Sequence, residues 1–269
     1  MAIDFAKVPI LLSYLDTEKY GLYVTIVSIV YWTHNFDFGL GTGLRYKLTS
    51  AISNSNYEYG KRLVSTAYFS MSGIMTILLM VLLPIIAILD WNGLLNTALI
   101  TNQELILCVT LVLVVFVVQF ILELITYVLQ AYQRAAFSSI FKPIANLATL
   151  IVILLLRIFS HNSLFYACLA MTLPIVIVLL ISNIFLFKHR CKNVSPTITK
   201  YDKACLKDIY SLGLKFFVSQ FANLIIFQSA AFLISHYVNP SETAAYNTTN
   251  TYFGAIVIFN TMTLLSRKS

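Results

Sequence analysis

The stretch FDFGLGTGLRYKL, residues 36–48, brings an acid, three alternating glycines and two bases together in a strongly apolar chain. A glycine-rich loop can bind phosphate, because its backbone N–H groups approach the anion closely. A dinucleotide-binding fingerprint requires G-x-G-x-x-G directly after a strand. Leu44 stands where the third glycine should be, and the segment before the stretch has the apolarity of a membrane helix. These residues therefore do not predict a nucleotide-binding enzyme.

Polar side chains also recur within and just beyond one long apolar segment, residues 105–129. On a helix, Gln119, Glu123, Gln130 and Gln133 fall within about 80° of one another. An ionisable group at membrane depth is costly and normally faces a bundle interior or a water-filled path. The spacing thus predicts a polar stripe that lines a cavity, with Glu123 near mid-membrane.

Three further apolar segments carry polar residues on one face. Amides and hydroxyls at such positions could line the same cavity, or could join helices by hydrogen bonds. Both interpretations stay open for the individual residues. The residues are Thr25, Ser28, Trp32 and Asn35 in the second segment, Asn146, Thr149 and Arg157 in the fifth, and Gln220 and Asn223 in the seventh.

Glu123 needs compensation, since a carboxylate inside a membrane must be protonated, paired or hydrated. Arg157 is the nearest candidate partner, because the two residues differ in depth by about 6 Å. Alternatively, Arg157 snorkels to the outer surface, since only Ile158 and Phe159 separate it from the polar loop SHNS.

Motifs of hydrolytic, nucleophilic or metal chemistry are absent from the sequence. It contains no HExxH, GxSxG or DxxD-type metal cluster, its histidines lie in four different places, and its cysteines show no CxxC spacing. We therefore expect no catalytic residues, no metal site and no cofactor, and we expect that the chain is not an enzyme.

The elements that must position the polar residues are membrane helices. The chain is 59% hydrophobic and 11% charged, whereas a soluble domain carries about 25% charged residues. A spanning helix needs about 20 mostly apolar residues, and eight segments qualify or nearly qualify. We thus expect an all-α polytopic membrane protein with about eight transmembrane helices, at residues 3–15, 21–38, 63–89, 105–129, 143–159, 164–187, 214–238 and 244–265.

Basic residues alternate between the gaps and set the predicted orientation. Arg45, Lys47, Lys61 and Arg62 follow the second segment, and further bases follow the fourth, sixth and eighth, whereas the other gaps hold one lysine and no arginine. The positive-inside rule then places the N-terminus and the basic loops in the cytoplasm. Because the bases occupy these gaps, the net charge of +7 does not predict binding to nucleic acid.

The glycine stretch becomes the cytoplasmic exit of the second helix. We expect its glycines to let the chain leave the helix and turn, and Arg45 and Lys47 to begin an amphipathic segment that runs to about Tyr59. Asp37 at a helix C-terminus is unfavourable for the helix dipole and needs a partner. It could form an inner-gate salt bridge, or could merely fix the turn.

A weak internal repeat indicates two halves of similar orientation. When SYLDTEKYGLYVT (residues 13–25) is aligned with HYVNPSETAAYNT (residues 236–248), Tyr14 meets Tyr237 and Tyr23 meets Tyr246. The first segment spans only about 20 Å, and the second copy stops after two helices, so the sequence predicts a chain shortened at both ends. The expected domains are a first bundle (1–188), a basic cytoplasmic linker (189–212) and part of a second bundle (213–269).

The stretch YLDTEKYGLYVTIVSIVYW, with the following FDFGLGTGLRYKLTSAISNSNYEYGKRLVSTAYF, closely resembles the N-terminal part of bacterial Wzx-type polysaccharide-biosynthesis flippases, of the MATE-like exporter superfamily. LGLKFFVSQFANLIIFQSAAFLISHYV with AAYNTTNTYF resembles the start of their second half. The resemblance covers essentially all 269 residues, and residues 37–41 and Tyr20-Gly21 are its most specific pieces. Many relatives carry an acid or amide where this chain has Ala230 and Ala231.

The resemblance implies a first MATE-like bundle plus the start of a second one. It implies that undecaprenyl-diphosphate-linked oligosaccharide is moved across the bacterial inner membrane for O-antigen, capsule or other surface polysaccharide, by alternating access driven by a proton or sodium gradient. The expected partners are this lipid-linked cargo, membrane lipids and the polysaccharide polymerase machinery.

The same interpretation gives roles to further residues. Trp32 and Tyr127 would stack on sugar faces, and the diphosphate would meet the four bases after the second segment, although the positive-inside rule alone also explains those bases. Two other functions stay open. They are export of a different cargo, such as a drug or cation, on the same fold, and a non-transporting remnant or scaffold subunit.

Overall fold

The computed structural model describes residues 2–31, 39–159 and 162–266, which form helices joined by short turns. Within these residues there is no strand, in agreement with the all-α prediction. The helices are α1 (Ala2–Tyr31), α2 (Leu40–Ser53), α3 (Tyr57–Ile88), α4 (Trp91–Leu95), α5 (Asn102–Ala131), α6 (Ala135–Ser138), α7 (Phe141–Phe159), α8 (Leu164–Lys188), α9 (Lys203–Tyr237) and α10 (Pro240–Ser266), with short 3₁₀ turns at Lys192–Val194 and Ile198–Lys200.

The described parts of the eight predicted segments fall on the long helices, which confirms the helical membrane architecture. Within the described residues, four helical stretches are long and apolar enough to cross a membrane. Side chains at the helix ends explain several boundaries. Thr101 accepts a hydrogen bond from the backbone N–H of Glu104, which is half of a capping box and starts α5. The four spanning stretches are Tyr57–Ile88, Asn102–Ala131, Ala135–Ile158 and Leu164–Lys188.

The first two predicted segments form one stretch, α1, that reverses direction at Asp16. The backbone of Asp16 leaves the helical region, with φ 65° and ψ 166°. Lys7 and Val27 line the same cavities, although about twenty residues of straight helix would separate them by about 30 Å. The two halves of α1 therefore lie side by side. Asn162, in the loop after α7, donates a hydrogen bond to the Asp16 carboxylate and holds the reversal in place.

Two boundaries differ from the sequence prediction. The expected linker ends at residue 212, whereas α9 begins at Lys203, because the Asp202 carboxylate accepts a hydrogen bond from the Ala204 N–H at 2.8 Å and caps the helix. The expected amphipathic segment runs to about Tyr59, but α2 ends at Ser53 and the next helix starts at Tyr57, where Asn56 provides the N-cap.

Helix α5 lies at the centre of the fold, where it packs against α8, α3, α2 and α1. Asn183 of α8 links three of these helices. Its Nδ2 donates to the carbonyl oxygens of Leu122 and Leu179 at 2.9 and 2.8 Å, and its Oδ1 accepts from the Tyr68 hydroxyl at 2.7 Å. This amide is an instance of a polar residue that joins helices inside an apolar bundle.

Glycines allow the closest helix contacts, which corrects the expectation for the stretch after the second segment. Only Gly39 supplies a turn, with φ 80° at the N-cap of α2. Gly43 lies within α2, where an added Cβ would stand 2.1 Å from the carbonyl oxygen of Ile209 in α9. Gly21 of α1 meets the carbonyl oxygen of Pro240 in the same way, at 1.8 Å. These glycines dock the first bundle onto the helices that follow the linker.

Candidate functional site

The large cavity of the fold lies between α1, α5, α7 and α8 and has a volume of about 860 Å³. The reversal of α1 brings both of its halves to this wall, while α5, α7 and α8 enclose the opposite side. The lining mixes apolar side chains with ammonium, carboxylate, amide and hydroxyl groups, as is usual for ligand cavities. The polar lining residues are Lys7, Tyr23, Gln119, Glu123, Thr126, Gln130, Ser138, Ser139, Lys142, Asn146, Thr149 and Thr172.

The polar stripe of α5 faces this cavity. Gln119, Glu123 and Gln130 all line it, as their shared helical face requires. Gln133, the fourth residue of the predicted stripe, lies beyond the end of α5 with a φ of 58°, is exposed, and does not line the cavity, because the helix ends at Ala131. Asn146 lines it from α7 and meets them across the space. The structure thus brings together five of the residues singled out from the sequence, because Thr149 of α7 also lines the cavity, and it adds hydroxyls from α5 and α8.

Lys7 is a charged cavity residue that the sequence reasoning did not select. Its ammonium donates a hydrogen bond to Asn146 Oδ1 at 3.0 Å, between the first half of α1 and α7. A lysine inside an otherwise apolar segment was a usable signal, since intramembrane charges normally face a bundle interior. The cavity therefore contains a positive group from α1 and a carboxylate from α5.

Other selected residues lie outside the large cavity. Arg157 is exposed in the last turn of α7, a position that matches snorkelling to the surface and does not bring it to the wall that holds Glu123. The Tyr127 ring packs against Gly41 of α2. Thr25 is buried and donates to the Gly21 carbonyl at 2.9 Å, so its hydroxyl is satisfied within α1.

A smaller cavity of about 210 Å³ lies next to the large one and includes Ser28. Lys7, Tyr23, Val27 and Met171 line both spaces. The second wall comes from α10, where Asn247 donates to the Tyr20 hydroxyl at 2.8 Å. The smaller cavity therefore extends the polar path toward the contact between α1 and α10.

Five of the selected residues lie wholly or partly outside the described part of the structure. Trp32, Asn35 and Asp37 lie outside the described residues. Gln220 and Asn223 belong to α9, but their side chains lie outside the described part, so their roles stay predictions.

The bases after the second segment mostly contact other parts of the protein. Arg45 donates a hydrogen bond to Gln130 Oε1 at 3.1 Å. Because Gln130 lines the cavity, Arg45 contacts one of the lining residues but is not itself part of the lining. Lys47 lies 3.8 Å from the carboxylate of Asp208 in α9. Arg62 lies 3.7 Å from the carboxylate of Asp202 and Lys61 is half-buried. These contacts favour the structural interpretation, in which α2 and α3 are fixed to the start of α9.

Three ionisable side chains outside the membrane-spanning segments, those of Cys205, Cys191 and Tyr132, are held in their neutral forms. Burial raises the pKa of Cys205 to about 11, and the neighbouring Asp202 carboxylate acts in the same direction. Burial likewise raises the pKa of the Cys191 thiol and brings the pKa of Tyr132 to about 12. Because the thiolate is the reactive form of cysteine, these thiols are poor nucleophiles. Among the described residues, no group of three or more metal-ligating side chains could hold a metal ion.

Comparison with known proteins agrees with this architecture. The sequence matches a family model described as polysaccharide biosynthesis protein over residues 1–265. The fold is similar to that of a multidrug resistance MATE family transporter of the MOP superfamily in an inward-facing conformation, with a TM-score of 0.71 and 15% sequence identity. The match covers 91% of this chain and 56% of that transporter, so the chain spans little more than half of its length. No curated protein matches the sequence.

Proposed function

We propose a translocation function for this chain, which belongs to the polysaccharide biosynthesis protein family: it moves an undecaprenyl-diphosphate-linked oligosaccharide across the bacterial cytoplasmic membrane. The observation that carries the proposal is the cavity between α1, α5, α7 and α8. It combines a polar interior of about 860 Å³ with a fold similar to that of a membrane transporter. The exported glycan would serve O-antigen, capsule or another surface polysaccharide.

The cavity wall suits a carbohydrate. Sugar hydroxyls both donate and accept hydrogen bonds, and the amides of Gln119, Gln130 and Asn146 do the same. Lys7 and Lys142 line the cavity and supply ammonium groups that complement a diphosphate. They take the role expected of Lys47 and Arg62, because those two bases contact the carboxylates of Asp208 and Asp202. The lipid tail would remain in the bilayer beside the apolar outer surfaces of the helices.

The distribution of contacts supports alternating access. The large cavity reaches Ser138, Ser139 and Lys142 in the loop between α5 and α7, which the positive-inside rule places at the cytoplasm. At the other end, the Gly21–Pro240 contact and the Tyr20–Asn247 hydrogen bond close α1 onto α10. This state would load cargo from inside, and a proton or sodium gradient acting on the Glu123 region would drive the return.

A different cargo is the second candidate, because the similar solved structure is described as a multidrug resistance transporter. Both functions use the same fold, and the cavity amides would accept many polar molecules. A non-transporting scaffold is the third.

Deletion of the gene and complementation with wild-type protein separates these functions. We expect loss of surface glycan, accumulation of its lipid-linked precursor and unchanged drug resistance, all reversed by the wild-type gene. Altered drug resistance with normal glycan would favour the drug exporter. Normal glycan and normal resistance in the deletion strain would favour a non-transporting role.

A further inference from the structure

Basic residues at the inner face fall into two groups with different surroundings. On the side formed by α2, α3 and α9, Lys47, Arg62 and Lys200 each contact a carboxylate, of Asp208, Asp202 and Glu58 respectively. On the side formed by α6 and the end of α8, five exposed bases occur. We call them the α6 patch: Arg134, Lys142, Lys188, Arg190 and Lys192.

The α6 patch differs from the other group in its ion pairs, within the described part of the chain. None of its members forms an ion pair with a described carboxylate. The positive-inside rule accounts for bases on this face. It does not account for the difference that three bases on the α9 side contact carboxylates, although Lys203 and Lys207 there are exposed, whereas no member of the patch makes such a contact with a described carboxylate. The patch thus leaves several positive charges available to a ligand.

Contacts between side chains join the members of the patch. The Arg190 guanidinium lies 5.5 Å from the centroid of the Phe137 ring, which fixes it by a cation–π contact. Phe137 also packs edge-on against Phe141, which precedes Lys142, at a centroid distance of 6.3 Å. Arg134 starts the same turn, since its carbonyl accepts from the Phe137 N–H at 3.0 Å. The arginines and Lys142 therefore surround one short helix.

The position of the patch links the membrane to the cavity. Ser138, Ser139 and Lys142 line the large cavity directly beside it. On its other side, Ile140, Ile144 and the ring of Phe185 are about half exposed and face outward like the lipid-contacting surface of the spanning helices. An amphipathic lipid with an anionic head could keep its tail in the bilayer while its head reached both the patch and the cavity edge.

We infer that the α6 patch is a loading site that captures the diphosphate head of the lipid carrier before the glycan enters the cavity. Planar guanidinium groups bind phosphate oxygens through paired hydrogen bonds, and lysines add point charges. A diphosphate carries more negative charge than the single phosphodiester of a common phospholipid, so it complements five unpaired bases better. The inference rests on the proposed function, and it adds a site outside the cavity together with the part of the cargo that is recognised there.

The test measures binding of undecaprenyl diphosphate, without a glycan, to the purified protein in nanodiscs of zwitterionic lipid. The variant R134Q/R190Q removes two charges from the patch. The matched control K203Q/K207Q removes two exposed charges from the start of α9, on the other side of the same face. We expect R134Q/R190Q to weaken binding about tenfold or more, and the control to bind within about twofold of wild type.

Several results would overturn the inference. They are absence of binding to wild type, equal weakening in both variants, and full competition by an equal concentration of phosphatidylglycerol, which would indicate an ordinary phospholipid site. Glycan export in cells separates this inference from the proposed function. Normal export by R134Q/R190Q would contradict the loading site and leave the transport proposal intact. Patch-dependent binding by a protein that exports no glycan would support the binding site and contradict the transport proposal.

Discussion

Lys7, Asn146 and Glu123 give the large cavity its chemical character at the scale of single residues. The Lys7 ammonium bonds to Asn146 Oδ1 at 3.0 Å, and Glu123 faces the same space from α5. Opposite charges on two helices that line one cavity are suited to coupling, because a proton or cation that reaches the carboxylate changes the balance between them. The proposed transport cycle depends on this balance.

The substitution Glu123→Gln tests the carboxylate. Glutamine keeps the shape and most of the hydrogen bonding, but it cannot carry or release a proton. We expect about a tenfold loss of glycan export in cells, equivalent to about 1.4 kcal/mol, at unchanged membrane abundance. Glu104→Gln is the matched control, since Glu104 lies in the first turn of the same helix, away from the cavity lining. Wild-type export by Glu123→Gln would remove Glu123 from the mechanism.

Helical periodicity predicted which residues of α5 share a face, but it did not indicate that Lys7 lies in the cavity or that α5 ends before Gln133. Gln119, Glu123 and Gln130 share one helical face, so periodicity alone sets them together. Lys7 contacts Asn146, which is far away along the chain, and helical periodicity carries no information about contacts between helices. Arg157 could not be assigned from the sequence for the same reason, because a depth difference of about 6 Å from Glu123 allowed a contact between long side chains, while the orientation of α7 decided its surroundings.

Glycines decide the fit between helices at the scale of elements. Gly43 lets α2 approach the backbone of α9, and Gly21 lets α1 approach the start of α10. Contacts of this type hold α2 against α9 and α1 against α10. The sequence analysis assigned Gly43 to a turn and gave Gly21 no packing role, because their partners, Ile209 and Pro240, come from distant parts of the chain.

Alanine substitutions separate a packing glycine from an ordinary one. In Gly43→Ala the new methyl would stand 2.1 Å from the Ile209 carbonyl oxygen, so we expect destabilisation of about 1–3 kcal/mol from overpacking. In Gly73→Ala the methyl meets nothing within 4 Å, and the helix should gain about 0.5–1 kcal/mol. Thermal unfolding of the purified variants in one detergent measures both changes. Equal melting temperatures would contradict the close contact between α2 and α9.

The whole molecule combines a helical bundle, a linker and two further helices into one transporter-like fold. Composition and charge alternation were enough to predict its class, because lipid requires long apolar helices and bases mark the loops between them. The start of α9 at Lys203 could not be predicted, since the first turns of this helix are charged and have no apolar signature, and the Asp202 cap defines where it begins. The sequence predicted a break between the first two segments, at residues 16–20. It did not indicate that the reversal would be confined to the backbone of Asp16.

The most direct test of the account is a flipping measurement on the protein reconstituted into vesicles with a lipid-linked oligosaccharide. A membrane-impermeant glycosidase then reports how fast the glycan reaches the outer leaflet. The account predicts transfer that is faster than in protein-free vesicles, accelerates with a proton or sodium gradient, and slows about tenfold in Glu123→Gln. Transfer at the protein-free rate, with or without a gradient, would contradict it.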